Sequence, residues 1–207
     1  DSFLAQGGMC MLKNEEDYDS YFEDTMKAGH YENDRKSVEI MIRSSAGVVQ
    51  DLIECGARFQ REEDGSLAYT REGAHSANRI IFHKDVTGKE ITSHLLDKVK
   101  KLTNVTIMEY TRLLDIICYG NRCLGAVIRT DDGNLIKVQA DDVVLATGGI
   151  GGLYRHSTNF RHLTGDAVAI AIKHDIELKD INYVQIHPTT FFSKKQEDRS
   201  FLISESV

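Results

Sequence analysis

Two short glycine-containing segments hold the first residues whose types and spacing suggest chemistry. Ala-Gln-Gly-Gly occupies residues 5–8, and Ala-Thr-Gly-Gly occupies residues 146–149. Because glycine has no Cβ, backbone N–H groups in such segments can approach a phosphate or a flat ring closely. A plain turn explains either segment equally well by itself. The second segment follows the apolar run Val143-Val144-Leu145, and ligands of open α/β sheets bind at the carboxyl ends of strands, which favours a ligand there.

Cysteine and histidine are present, but their spacing does not favour a metal site. Cys118 and Cys123 flank Tyr-Gly-Asn-Arg, a predicted hairpin tip, so their thiols are expected to face each other across two strands. A zinc half-site is one interpretation of this pair. Because no second Cys or His pair stands at ligand spacing, we predict two reduced thiols and no metal.

Composition excludes several classes of partner. Lys and Arg number 25 and Asp and Glu number 32, giving a net charge of −7 with the acids scattered, so no nucleic-acid partner is expected. The longest apolar stretches are about half of the roughly 20 residues that span a bilayer, so no membrane partner is expected. Four dispersed cysteines and no signal peptide indicate a cytoplasmic protein. The chain begins and ends inside patterned sequence, so we expect a piece of a longer protein.

Hydrophobic spacing predicts four helices that would position these segments. They span residues 18–28, 35–55, 87–101 and 167–173. Gly56 is the predicted stop of the second helix, and four residues of the third are predicted to face inward: Ile91, Leu95, Leu96 and Val99. The polar stretch 58–83 has no clear period, and such a long irregular stretch in a compact domain is more often functional than decorative.

After Thr103 the hydrophobic pattern changes to alternation, which predicts strands. A short strand is expected at 105–108, followed by strands at 112–118, 124–130 and 135–140 that form an antiparallel meander with turns at Gly120-Asn121 and Asp132-Gly133. The apolar run that ends at Gly149 is typical of a buried parallel strand. The predicted class is therefore α/β, with an antiparallel β-meander inserted into a parallel sheet.

Several separated motifs together resemble the flavoprotein family of succinate dehydrogenase and fumarate reductase. They cover nearly the whole chain in order, and within the family they are most similar to the branch that oxidises L-aspartate. The motifs are residues 1–8, Thr-Arg-Glu-Gly-Ala-His-Ser at 70–76, Arg-Ile-Ile-Phe-His-Lys-Asp-Val-Thr-Gly-Lys-Glu at 79–90, residues 143–149, Gly-Asp at 165–166 and His-Pro-Thr at 187–189.

The resemblance implies a fold and a domain division. Residues 1–180 would be a partial FAD-binding, Rossmann-like domain that lacks its first strand, and residues 181–207 would begin a capping domain for substrate. A histidine carries covalent flavin in some family members, and Asp1 stands at that position here, so FAD would be bound non-covalently. Ser204 and Ala167 replace a Thr and a Gly of the family pattern.

The resemblance also implies site residues. Glu72 and Glu205 would be catalytic, with Glu72 facing the α-ammonium of the substrate, and His187, Thr189 and Ser204 would bind its carboxylates. The implied FAD-binding residues are Ser2, Ala5, Gln6, Gly7, Gly8, Thr147, Gly148 and Asp166.

The implied reaction is oxidation of L-aspartate to iminoaspartate with hydride transfer to FAD, in de novo NAD biosynthesis and coupled functionally to quinolinate synthase. Oxygen or fumarate would reoxidise the flavin. One alternative is a fumarate reductase or succinate dehydrogenase flavoprotein subunit, whose dicarboxylate substrates have no ammonium group for Glu72 to bind. The other is a fragment without bound flavin, and the chain by itself is expected to be inactive.

Overall fold

The computed structural model describes residues 2–187, 189–191 and 199–203, which fall into two compact units with a boundary between residues 105 and 106. Each unit mixes helices with short antiparallel ladders. No helix of the described residues is long and apolar enough to cross a membrane.

The first unit is built on three helices, as predicted. They are α1 (Tyr18–Ala28), α2 (Arg35–Glu54) and α3 (Thr87–Lys100). The Asp34 side chain caps α2 by accepting a hydrogen bond from the Ser37 N–H at 2.7 Å. Gly56 takes φ +103° just beyond the end of α2, which confirms it as the residue that stops the helix.

Two apolar clusters form the core of this unit. One joins Tyr21 and Met26 of α1 to Val38 and Ile42 of α2. The other packs α2 against the strand pair β1 (Met9–Cys10) and β2 (Ile80–Ile81), with Ile81 fully buried. The irregular stretch 58–83 therefore contains one core strand and two isolated bridges.

The prediction for the inward face of α3 is confirmed for Ile91, which packs against the cluster that contains Ile81, and is wrong for the other three residues. Thr87 and Gly88 in the first turn of α3 are buried, whereas Leu95, Leu96 and Val99 are exposed. The first turn is buried because it packs against residues 2–5. No comparable partner covers the C-terminal half of α3 among the described residues.

The second unit contains the predicted meander. Strands β3 (Arg112–Tyr119), β4 (Arg122–Arg129) and β5 (Leu135–Gln139) pair in that order and are all antiparallel. Helix α4 (Asp166–Lys173) packs on β3, where Lys173 and His174 both contact the Asp115 carboxylate. Hydrogen bonds from the Lys173 and His174 side chains lower the pKa of Asp115 to about 2. A further strand pair joins β6 (Thr190–Phe191) to β7 (Phe201–Leu202).

Two predicted strands are absent. Residues 105–108 and 143–149 have no strand assignment, and Val144 is 86% exposed. A strand forms only where a neighbour completes its hydrogen-bond ladder, and no described segment pairs with either stretch. The expected buried parallel strand is therefore wrong for this chain, and every ladder among the described residues is antiparallel.

Candidate functional site

In the first unit, residues 2–8 are held against the start of α3. The Gly88 N–H donates to the Ala5 carbonyl at 3.0 Å. A Cβ added to Gly88 would lie 1.9 Å from the Ser2 carbonyl oxygen, so this close approach requires glycine. The predicted cofactor residues Ser2, Ala5, Gln6, Gly7 and Gly8 thus lie in one short segment anchored to a helix N-terminus.

The end of this segment is fixed by the next strand pair. A Cβ on Gly8 would lie 2.3 Å from both the Ile80 side chain and the Ile81 carbonyl oxygen. Gly8 therefore lets the loop run directly into β1 beside β2. Packing against Ile80 and Ile81 is therefore sufficient to require glycine at residue 8, whether or not a ligand also approaches it.

Glu72 lies directly against Gly7 and Gly8. Its Oε1 accepts a hydrogen bond from the Gly8 N–H at 3.1 Å, and both carboxylate oxygens lie 3.1 Å from the position of a Gly7 Cβ. The Glu72 side chain is half-buried. The structure therefore brings together Glu72 and the Ala-Gln-Gly-Gly loop, which are 64 residues apart in sequence.

The turn that carries Glu72 is clamped to α1 by a buried arginine. Arg79 is 0% exposed, and its guanidinium donates to Asp17 at 2.8 Å and to Asp24 at 2.6 Å. Asp24 also accepts from the Ser76 backbone N–H and hydroxyl, each at 2.7 Å. Despite their partial burial, Asp17 and Asp24 have pKa values below the usual range, because these donors stabilise the carboxylates.

His75 joins this cluster to Cys10 on β1. Its Nδ1 lies 3.2 Å from Arg79 Nη1, and its Nε2 lies 3.2 Å from Cys10 Sγ. Because arginine can only donate, Nδ1 must accept and the ring proton resides on Nε2, facing the sulfur. Burial lowers the pKa of His75, and Arg79 lowers it further. Burial also raises the pKa of Cys10, so this thiol is protonated near neutral pH.

In the second unit, the predicted Gly148 and Asp166 lie in neighbouring turns. Gly148 takes φ +77°, and a Cβ there would touch the Leu163 side chain at 3.0 Å. A Cβ on Gly149 would meet nothing within 4 Å, so the backbone at this glycine faces open space. Thr147 is half-buried beside them.

Asp166 begins α4 and is already partnered. Its Oδ2 accepts from Arg112 at 3.0 Å, and its Oδ1 accepts from the Thr164 hydroxyl at 2.7 Å. The Thr164 hydroxyl and the Arg112 guanidinium hold the pKa of this carboxyl below its usual range. Asp166 is thus a fixed anion at the N-terminus of α4.

The structure brings together two of the predicted substrate residues. His187 Nδ1 lies 3.0 Å from the Thr189 carbonyl oxygen and 3.2 Å from its backbone nitrogen. Ser204 and Glu205 lie outside the described residues. Among the described residues, no group of three or more His, Cys, Asp or Glu is arranged to hold a metal ion.

The comparison with protein families gives a match that covers the whole chain. The model described as FAD binding domain matches residues 1–207. The chain belongs to this FAD-binding domain family. FAD is accordingly the cofactor of this domain.

The comparisons with individual proteins find L-aspartate oxidases among the sequences and a fumarate reductase among the solved structures. The L-aspartate oxidase of Clostridium perfringens (strain 13 / Type A) is 50% identical over 206 residues, covering 100% of this chain and 46% of that protein. The L-aspartate oxidase of Bacillus subtilis (strain 168) is 36% identical, covering 100% of this chain and 38% of that protein. Among solved structures, a quinol–fumarate reductase with menaquinol molecules superposes with TM-score 0.91 at 27% identity, covering 99% of this chain and 35% of that chain. The chain spans less than half the length of these relatives.

The described residues fit a flavin in both units. No described residue accepts a hydrogen bond from the Gly7 N–H or from the N–H groups of 147–149, so these donors can serve a ligand. The open space at Gly149 gives close access to its backbone. Each feature suits a cofactor with phosphate groups within its own unit, because the loop is anchored and the glycine turn allows close approach.

Sequence reasoning missed the structural role of Arg79. The signal was present: one arginine directly precedes the apolar run Ile80-Ile81-Phe82, and Asp17 and Asp24 are seven residues apart, which places them on one face of a helix. A charged residue inside a core-like strand predicts a buried ion pair, and two acids at helical spacing are its partners.

Proposed function

We propose that the protein containing this chain is a FAD-dependent L-aspartate oxidase, which oxidises L-aspartate to iminoaspartate in de novo NAD biosynthesis. The observation that carries this proposal is the fixed carboxylate of Glu72 against Gly7 and Gly8. An amino-acid substrate has an α-ammonium group that a carboxylate binds, whereas succinate and fumarate have none. L-aspartate oxidases that match the whole chain, those of Clostridium perfringens and Bacillus subtilis among them, support the same choice.

The Glu72 carboxylate also bears on which part of FAD the Ala-Gln-Gly-Gly loop contacts. A negative group 3.1 Å from the Gly7 Cβ position repels a pyrophosphate at that point. We therefore assign residues 2–8 to the isoalloxazine end of the cofactor. Thr147 and Gly148 are assigned to its pyrophosphate part through backbone donors, and Asp166 is assigned to the ribitol, whose hydroxyl groups can donate to the carboxylate.

The cofactor is proposed to bind without a covalent link, because Asp1 occupies the position of the flavin-linked histidine in related enzymes. When bound, FAD supplies the acceptor for the hydride that leaves the substrate α-carbon. The protein supplies orientation and charge. Glu72 holds the substrate ammonium, and the Gly8 N–H holds Glu72 in place.

The proposed L-aspartate oxidase activity also gives roles to the residues that would bind the substrate. His187, Thr189 and Ser204 bind the substrate carboxylates, and Glu205 lies near the transferred hydrogen. The contact between the His187 ring and the Thr189 backbone supports a shared role for these two. We place the FAD-binding domain at residues 1–180, with the meander as an insertion and its first strand outside the chain, and the start of the capping domain at 181–207.

The cellular context is proposed on the same basis. An L-aspartate oxidase of this kind would act in the cytoplasm, use fumarate or oxygen to reoxidise its flavin, and pass iminoaspartate to quinolinate synthase. No nucleic-acid or membrane partner is part of this proposal.

A second candidate is a fumarate reductase or succinate dehydrogenase flavoprotein subunit. The superposition on quinol–fumarate reductase at TM-score 0.91 favours it. The 27% identity of that match against 50% for an L-aspartate oxidase places it second.

The test is anaerobic reduction of the full-length protein, followed by the visible absorbance of its flavin. L-aspartate should bleach the oxidised flavin band and succinate should not. Denaturation should release FAD into the supernatant, as expected of non-covalent binding. Bleaching by succinate alone would establish the second candidate, and a full-length protein without any flavin would overturn both.

A further inference from the structure

The hairpin between β3 and β4 places two cysteines opposite each other, and neither belongs to the candidate site described above. The ladder pairs Tyr119 with Arg122 and Cys118 with Cys123 around the two-residue turn Gly120-Asn121. Gly120 takes φ +56°, which suits so tight a turn. The expectation that the two thiols face each other is therefore confirmed.

The position of the pair in the ladder sets its geometry. Tyr119 and Arg122 close the turn, and Cys118 and Cys123 are the next directly opposite pair, beside a register shift at Ile117. Directly opposite residues of an antiparallel ladder have Cα atoms about 4.5–5.5 Å apart. Disulfides form at Cα separations of about 4.4–6.8 Å, so bridging this pair needs little backbone movement.

The two thiols are also adjacent and accessible. Both are free cysteines, with Cys118 exposed and Cys123 half-exposed. The ladder places the Cys118 side chain directly opposite that of Cys123, whose thiol donates to the Gly125 carbonyl at 3.6 Å. Cys10 and Cys55 have no such cysteine partner among the described residues. Exposure admits a small disulfide to Cys118, and the ladder places a resolving thiol beside it.

We propose that Cys118 and Cys123 form a reversible dithiol–disulfide modification site that exchanges with small-molecule disulfides such as oxidised glutathione. In the first step the Cys118 thiolate attacks one glutathione sulfur, the S–S bond of the oxidised glutathione breaks, and one glutathione thiolate leaves. In the second step the Cys123 thiolate attacks Cys118 Sγ, the new S–S bond forms, and the second glutathione leaves. Two cysteines are oxidised, one glutathione disulfide is reduced to two thiols, and the two cysteine protons pass to those thiols.

Two features of the hairpin bear on the rate and the outcome. Desolvation by adjacent side chains and the neighbouring Cys123 raise the pKa of the exposed Cys118 thiol, so the thiolate fraction and the exchange rate increase with pH. The resolving thiol is already adjacent, so the mixed disulfide is short-lived and the intramolecular bridge is the product.

Trypsin makes this proposal directly testable, because Arg122 lies between the two cysteines. Cleavage after Arg112, Arg122 and Arg129 puts Cys118 in the peptide 113–122 and Cys123 in the peptide 123–129. The full-length protein is equilibrated in glutathione redox buffers, alkylated, digested and analysed by mass spectrometry, with a non-reducing gel of the same samples.

We expect the two peptides to appear as one disulfide-linked species in oxidising buffer while the protein migrates as a monomer, and to separate after dithiothreitol. The linked fraction should follow a two-electron curve against the glutathione potential. C118S and C123S should abolish the linked species, and C55S, the matched control in the first unit, should retain it. A stable glutathione adduct on 113–122 without the linked species would overturn the proposal, as would linked peptides found only in a covalent dimer.

Discussion

The Glu72 carboxylate accepts a hydrogen bond from the Gly8 N–H at 3.1 Å, across 64 residues of sequence. This contact ties the residue proposed to recognise the substrate to the loop proposed to hold the flavin ring. One carboxylate oxygen is committed to the loop, and the charge of the group remains available to a cation. The geometry therefore separates two functions of Glu72, support of the loop and attraction of an ammonium group.

Glu72→Gln tests that separation, because its amide oxygen can still accept from Gly8 while the charge is removed. We expect L-aspartate oxidation by the full-length enzyme to fall more than tenfold, equivalent to about 1.4 kcal/mol or more. Fumarate reduction by the reduced flavin should change little, since fumarate has no ammonium group. The ratio of the two activities in one preparation is the measurement.

The control is Glu72→Ala, which also removes the acceptor for Gly8 and should reduce both activities. If Glu72→Gln reduced both activities equally, Glu72 would support the loop only, and the choice of aspartate over succinate would lose its structural basis.

Gly88→Ala should dislodge the start of the flavin loop. The added methyl would lie 1.9 Å from the Ser2 carbonyl oxygen and 2.9 Å from the Ala5 Cβ, and neither backbone nor Cβ can move aside without shifting residues 2–5. We expect weaker FAD retention and a lower melting temperature. Gly47→Ala is the matched control: it is an exposed glycine within α2 with open space around it, and its substitution should stabilise the protein by up to about 1 kcal/mol. Equal FAD retention in both variants would show that the loop does not depend on Gly88.

Arg79→Met should be strongly destabilising. It would leave Asp17 and Asp24, which are only 10% and 15% exposed, without their cation, and breaking such a buried pair typically costs about 3–5 kcal/mol. Arg43→Met, which removes an arginine paired with Glu15 and Glu39 at the surface, should have a small effect because water screens that pair. Urea unfolding of both variants measures the difference, and similar midpoints would contradict the buried clamp.

Local patterns in the sequence predicted most of the helices and the meander. Residues 18–28 and 35–54 carry a strong helical period with a capping acid or a terminal glycine, and Asp132-Gly133 marks a hairpin turn, so each element is specified within itself. Residues 105–108 and 143–149 have equally clear apolar patterns but no pairing partner among the described residues. A strand is a property of two segments, which a single pattern cannot specify.

Part of the candidate site could likewise be predicted from the sequence, and part could not. The glycine segments were visible from composition, but the contact of Glu72 with Gly8 and the convergence of Asp17, Asp24 and Arg79 join residues more than fifty positions apart. Such long-range pairs depend on the packing of α1 and β2. Spacing places Asp17 and Asp24 on one face of a helix, but it does not specify that this face meets Arg79.

Stability should fall on mild acidification because of His75. In the unfolded chain this histidine takes up a proton near its ordinary pKa of 6.5, whereas burial and Arg79 lower the pKa in the folded state. Between these two pKa values the unfolded state binds more protons than the folded state. The contribution of His75 to the free energy of unfolding is therefore fully present above pH 6.5 and is lost as the pH falls below that value. The charged and titratable groups facing the ring are Cys10, Asp17, Tyr21, Asp24, Glu72 and Arg79.

Melting temperatures between pH 5 and pH 8 measure this effect (the range brackets a histidine pKa of about 6.5). His75→Asn keeps an acceptor for Arg79 but cannot titrate, so its melting temperature should depend less on pH. His30→Asn, at an exposed position, is the control, and the pH dependence of its melting temperature should equal that of the wild type. If the melting temperature of His75→Asn changed with pH as much as that of the wild type, another group would cause the pH dependence.

Asp166→Asn separates a flavin contact from a structural ion pair. The carboxylate is held by Arg112 and Thr164 at the start of α4. A hydrogen bond that it accepts from a hydroxyl group of FAD would be worth about 1.5–3 kcal/mol, or roughly one to two decades in the dissociation constant. Arg112→Gln removes the ion pair while Thr164 keeps the carboxylate in place, so it should weaken FAD binding much less than Asp166→Asn does. Titration of the full-length apoprotein with FAD, followed by flavin fluorescence, measures both constants. If the two variants bound FAD equally, Asp166 would be a partner of Arg112 alone, and the cofactor contacts of the second unit would reduce to the backbone around Gly148.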